Sequence, residues 1–174
     1  MQLNHHRHTI IGSRIEGMYS EQRYPTALFT NIVGGPGMNS LLNISLRERR
    51  GLVYTVEASS AMFTDSGAFA IYFGCDHNDH NRCRRLVLNQ LHTLASDKLS
   101  SKQIEAAKKQ YLGQLIVASE NREQAAISTA RSMLYHNHVA SSDEILNRIN
   151  AITPEQVRQV AESIAKNIST LSFL

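Results

Sequence analysis

Tryptophan is absent from the sequence, and only two cysteines, three prolines and nine glycines occur among 174 residues. Two cysteines cannot staple a small scaffold, so a disulfide framework is excluded, and Cys75 and Cys83 read as reduced thiols in a cytosolic setting. So little proline and glycine excludes collagen-like and low-complexity classes. Long apolar runs are also lacking: no stretch of about 18 residues could form a spanning helix. Met1-Gln2-Leu3-Asn4-His5-His6-Arg7-His8 is polar where a signal peptide needs an apolar segment. Neither sign of charge dominates. Eighteen basic residues against 15 acidic ones leave +3 with His neutral. That excess is no nucleic-acid footprint, and the Arg47/Arg49/Arg50 and Arg82/Arg84/Arg85 runs read as solvated faces.

What remains is globular, with 42% hydrophobic and 19% charged residues. A chain of this size removes about 70% of its unfolded surface from water, so it supports a core. Residues 1–174 read as a single domain, without repeats or linkers.

The hydrophobic period places the elements. Residues 6–12 read as a strand and 13–22 as a loop. Ala27, Leu28, Ile32 and Val33 predict a helix over Tyr24–Val33, stopped at Gly34-Gly35-Pro36-Gly37. Met38, Leu41, Leu42 and Leu46 predict a second helix ending in Arg47-Glu48-Arg49-Arg50, with Gly51 as its stop. The period then changes to two. Val53–Met62, a Thr64-Asp65-Ser66-Gly67 turn and Ala68–Gly74 predict an antiparallel hairpin. Helices follow over Asp79–Ala95, from the Ser100 cap to Ser119, over Arg122–Tyr135 and over Asp143–Asn150. Thr153-Pro154-Glu155-Gln156 opens a further helix through Val157, Val160 and Ile164, and Ser169–Leu174 closes as a strand. The fold class is α+β: a mainly antiparallel sheet of about four strands covered by several helices on one face.

Eight histidines invite a metal search. Cys75, His77, His80 and Cys83 supply four soft or borderline ligands within nine residues. Structural zinc sites set two-residue gaps on each side of a loop, whereas these four form one scattered loop-to-helix run, and Asp76, Asn78 and Asp79 make it read as a solvated polar turn. His136 and His138 end a helix, where histidine is favoured. His5, His6 and His8 alternate on a strand as exposed imidazoles. A helical His-Glu-x-x-His, its inverse His-x-x-Glu-His and Gly-x-Ser-x-Gly are all missing. Gly34-Gly35-Pro36-Gly37 lacks the lysine of a phosphate loop. Arg47 and Tyr54, seven residues apart, offer a guanidinium fork and a phenol, both able to donate to a carbonyl oxygen. An ordinary helix-end arginine and strand tyrosine would look the same.

Residues 34–56 separate those readings. Gly-Gly-Pro-Gly-Met-Asn-Ser, followed by Leu-Arg-Glu-Arg-Arg-Gly-Leu-Val-Tyr-Thr-Val, resembles the C-terminal half of insulinase-family (M16) zinc peptidases. The Asp65-Ser66-Gly67 turn with its aromatic strand, the capped helix at Ser100 and the Thr153-Pro154-Glu155-Gln156-Val157 segment fit the same pattern. Two departures are Pro36 within the glycine turn, and Leu42 where the family often has Arg. The resemblance implies two similar halves that close on a peptide. The first half carries His-x-x-Glu-His and Zn2+; the second holds the substrate backbone with an Arg and a Tyr, here Arg47 and Tyr54. This chain has that pair and no zinc motif, so it resembles the C-terminal half alone, beginning inside it without the usual opening strand and helix. It is then expected to be inactive by itself and to bind no catalytic metal. Its expected partners are a peptide or small protein substrate, a zinc-binding N-terminal half in cis or in trans, and a second copy through an uncovered edge. Nucleic acid and membrane are not expected partners. The alternative implied by the same resemblance is a non-catalytic partner or structural subunit.

Overall fold

A computed structural model describes residues 6–173. Strands β1 (His6–Ile15), β2 (Val53–Met62), β3 (Gly67–Asp76) and β4 (Ser169–Phe173) form one sheet in the order β2-β3-β1-β4, with each neighbouring pair antiparallel. Six α-helices accompany them: α1 (Arg23–Gly34), α2 (His80–Ser96), α3 (Ser101–Ser119), α4 (Arg122–His136), α5 (Ser142–Asn150) and α6 (Pro154–Lys166). A π-helical segment occupies Asn43–Glu48 and a 3-10 turn His77–Asp79.

The strand alternation decides which face is covered. Phe69, Ile71, Phe73 and Cys75 point from β3 into the core, as do Thr9, Ile11 and Ile15 from β1. They meet Leu28 and Phe29 of α1, Val87 and Leu91 of α2, and Val157 and Ile164 of α6. Phe29 and Phe69 pack with ring centroids 5.6 Å apart. Burying such side chains contributes about 1.5–3 kcal/mol each. The alternate residues, including Ala68 on β3 and Glu57 on β2, lie on the opposite, uncovered face. Gly34 sets the closest approach of helix to sheet: a Cβ there would stand 2.6 Å from the Ala58 backbone nitrogen. Glycine is the residue that permits this contact.

Several boundaries differ from those read in the sequence. β1 continues through Ser13, Arg14 and Ile15, which read as loop, because β3 supplies ladder partners down to Gly67. The expected helix over Met38–Arg50 is shorter and widened into π turns; Met38 is exposed, while Leu42, Asn43, Ser45 and Leu46 are buried. Helices α3 and α4 stand at the periphery, α4 without a buried residue. The expected apolar face of α3 is only partly covered, through Ala107, Tyr111 and Leu115, and no α4 residue packs against the core. The two capping boxes form as read: Ser100 with Gln103, and Thr153 with Gln156. Leu174, read as the end of β4, and His5, read as part of β1, lie outside the described residues.

Candidate functional site

Arg47 and Tyr54 flank one hydrogen-bonded reversal of the chain. The π-helical segment ends with Gly51 N–H donating to the Arg47 carbonyl at 2.8 Å and Leu52 N–H donating to the Leu46 carbonyl at 2.9 Å. This resembles a glycine-closed helix end opened by one residue. Gly51 has φ +59°, in the left-handed region that glycine enters without Cβ strain. The π turn adds a residue before this exit and so rotates Arg47 about the helix axis relative to an α-helical path. Buried Leu46 fixes the backbone beside it, and the Arg47 side chain is exposed. Arg50 folds back instead, its Nη1 donating to the Ser45 carbonyl at 2.6 Å.

Tyr54 owes its placement to a second irregularity. Val53 pairs with Cys75 and Thr55 with Gly74, so Tyr54 is the extra residue of a β-bulge. A bulge breaks strict alternation and re-aims a side chain. Here Tyr54 and Thr55 are both exposed between buried Val53 and Val56. The Tyr54 hydroxyl donates to Asp76 Oδ1. That hydrogen bond, with lesser contributions from burial and nearby charge, pushes the phenol up to about 12. The His6 ring stands edge-on to Tyr54 with centroids 4.8 Å apart, and His6 Nδ1 lies 3.7 Å from Asp76 Oδ1. His6 and Asp76 are register partners across β1 and β3.

Sequence reasoning missed Asp76 and His6 as neighbours of Tyr54. Strand parity could have placed Asp76 on the uncovered face, since Phe69, Ile71, Phe73 and Cys75 take the covered one. The register that brings His6 to it needs the fold.

The cysteine and histidine run is not the solvated turn that its composition predicts. Cys75 and Cys83 are buried, and burial first, then the neighbouring Cys75, pushes the Cys83 thiol up to about 12. His80 is buried too, its Nε2 3.0 Å from both Thr9 Oγ1 and Ser172 Oγ. Desolvation, then Arg7, lowers its proton affinity. His77 remains exposed. His138 pairs with Glu144 at 2.8 Å, and His136 packs edge-on against Tyr19 at 5.4 Å. Among the described residues no three His, Cys, Asp or Glu side chains converge as a metal set. The described residues therefore offer no converging ligand set for zinc.

Fold and turn together define an α+β unit of the type found in M16 proteins. A crystallised peptidase M16 inactive domain from Pseudomonas fluorescens superimposes with a TM-score of 0.84 at 16% identity, over 97% of this chain and 40% of that one. A chain of complex III from Candida albicans superimposes with 0.81 at 19% identity, covering 98% and 43%. The sequence places the chain more closely: residues 1–111 match the family model described as the peptidase M16 inactive domain, and the chain belongs to that family. A Streptomyces coelicolor protein named as an uncharacterized zinc protease is 29% identical over 167 residues, 96% of this chain and 36% of its own length. The chain thus spans little more than a third of this curated relative. No helix among the described residues is long and apolar enough to cross a membrane.

Proposed function

We propose that this chain is the substrate-holding, non-zinc half of a zinc-dependent metalloendopeptidase, inactive by itself. The observation that carries this reading is the turn at Gly51, which leaves an exposed guanidinium and an exposed phenol on either side of one rigid reversal. Both groups donate hydrogen bonds, and a peptide backbone offers carbonyl oxygens as acceptors. Arg47 supplies a charged fork and Tyr54 a single directed O–H. Their work is to bind and orient a peptide, and to favour the carbonyl oxygen as it gains negative charge. The metal chemistry belongs to residues outside this chain, in a zinc-binding half joined in cis or supplied in trans. Family membership and the zinc-protease names of the relatives support that division.

The test combines this chain with a zinc-bearing half and measures peptide hydrolysis. Arg47→Ala or Tyr54→Phe is expected to slow turnover by about 100- to 1,000-fold, the usual cost of removing one such donor. Unchanged turnover in both variants would remove the role assigned here. Zinc-dependent hydrolysis by the isolated chain would refute its status as a substrate-holding half.

A second reading, a non-catalytic subunit, is favoured by the likeness to a chain of complex III. An assembled complex with no peptidase activity under any pairing would select it. In either case self-association is expected through β4, an edge strand whose Leu171 and Phe173 are 62% and 45% exposed. Sedimentation of a monomer at high concentration would exclude that dimer.

A further inference from the structure

The Tyr54 hydroxyl has one proton, and the structure commits it to Asp76. A phenol that donates to one acceptor can only accept from any other group. Holding a substrate carbonyl requires the opposite: Tyr54 must donate. Asp76 and the peptide carbonyl therefore compete for the same hydrogen bond.

The geometry makes this competition unavoidable. Tyr54 is 52% exposed, so packing alone does not fix its ring. What holds it is the bulge beneath, the Asp76 carboxylate at the end of β3 and the edge-on His6 ring at the start of β1. The three side chains come from three different strands and meet at one end of the uncovered face of the sheet. His6 Nδ1 lies 3.7 Å from Asp76 Oδ1, beyond hydrogen-bond reach, so it leaves that oxygen to the phenol. A carboxylate acceptor also binds an O–H roughly twice as strongly as a neutral one.

We propose that Asp76 is a positioning residue for Tyr54: a latch that orients the phenol in the resting chain and yields its hydrogen bond when a peptide carbonyl arrives. The proposal rests on the reading of Tyr54 as a substrate contact. No covalent step is involved; one O–H donor exchanges a carboxylate acceptor for an amide one. The latch keeps the ring aimed before binding, and it subtracts from peptide affinity because the stronger acceptor must be released. Asp76→Asn would keep the shape and a neutral acceptor while removing the charge.

The experiment has two arms. In the first, the chain carries 13C-labelled tyrosine, and the Tyr54 resonance, assigned with Tyr54→Phe, is followed to about pH 10.5, just above an ordinary tyrosine pKa. Tyr54 is expected to stay protonated in the unsubstituted chain and to be largely ionised in Asp76→Asn. Ordinary ionisation of Tyr54 in the unsubstituted chain overturns the latch. In the second arm, the chain is combined with the zinc-bearing half and assayed on a peptide. Asp76→Asn is expected to lower KM about fivefold with kcat little changed, as a charged acceptor gives way to a neutral one. Asp76→Ala, which leaves the ring unheld, is expected to lower kcat. Neither substitution should matter in the Tyr54→Phe background, and an effect of Asp76→Asn that persists there overturns the proposal. If Tyr54→Phe alone leaves turnover unchanged, the substrate-contact reading fails, and the phenol titration still reports separately on the Tyr54–Asp76 bond.

Discussion

Gly51 offers a clean test of how the Arg47–Tyr54 turn is built. Its φ is +59°, and a Cβ added there would meet nothing within 4 Å. Gly51→Ala therefore adds backbone strain and no clash. Left-handed backbone costs an alanine about 1–2 kcal/mol. The same substitution stiffens the unfolded chain, which offsets roughly 0.4–1 kcal/mol. A net loss of about 1 kcal/mol is expected. For a domain of this size that lowers Tm by about 2–4 °C. With a urea slope of about 2 kcal/mol per molar, the midpoint moves down by about 0.5 M and the slope stays fixed. Gly51→Asn should recover part of the loss, because asparagine tolerates the left-handed region better than alanine. Urea unfolding of the three proteins, followed by far-UV circular dichroism, decides the matter. An alanine variant as stable as the parent would refute the positive φ. An asparagine variant as damaged as the alanine one would show that the cost is not conformational.

Gly34 makes the opposite case, since there the obstacle is contact. The added Cβ would meet the Ala58 nitrogen at 2.6 Å and the Ala58 Cβ at 2.9 Å, so Gly34→Ala should cost about 1–3 kcal/mol by pushing α1 off β2. Equal stability in the same urea assay would refute that close approach. Acid should destabilise the chain partly through Glu155, which Arg158 first and Lys98 second hold at about 2. A carboxyl depressed on folding contributes fully above its unfolded value near 4.5 and loses that contribution as pH falls through about 2. The urea midpoint should therefore fall across this window, less steeply in Glu155→Gln. Identical slopes in the two proteins would remove Glu155 from the account.

Local chemistry made some of this structure legible and long-range pairing hid the rest. Ser100 and Thr153 announce their helices because a cap needs only the next three residues, and both boxes form. The hairpin is legible because alternation and a Thr64–Gly67 turn suffice to define it. Ser13 and Arg14 misread as loop because their polarity masked ladder partners more than fifty residues away, Phe69 and Ala68. The bulge at Tyr54 leaves no composition signal, since it arises from a mismatch between two strands. Cys75, His80 and Cys83 looked solvated among polar neighbours, yet strand parity and the face of α2 turn them inward. Arg47 and Tyr54 stood out only through the motif around them. Their local residue types alone would fit any helix end and any strand.

The placement of the site relative to the core makes its role separable from folding. Each exposed candidate sits one residue from a buried anchor: Arg47 beside Leu46, Tyr54 beside Val53, Asp76 beside Cys75. The anchors hold the backbone through the interior, while the functional side chains contribute little to it. Substitutions at exposed positions usually stay within about 0.5 kcal/mol of the parent. A loss of peptide turnover in Arg47→Ala or Tyr54→Phe with an unmoved urea midpoint then reads as lost substrate contact. Replacing Leu46 with alanine, by contrast, would cost about 2–5 kcal/mol through the cavity left behind. Its effect on turnover would mix both causes. The exposed members of these pairs are therefore the ones whose substitution can decide between a substrate-holding half and a structural subunit.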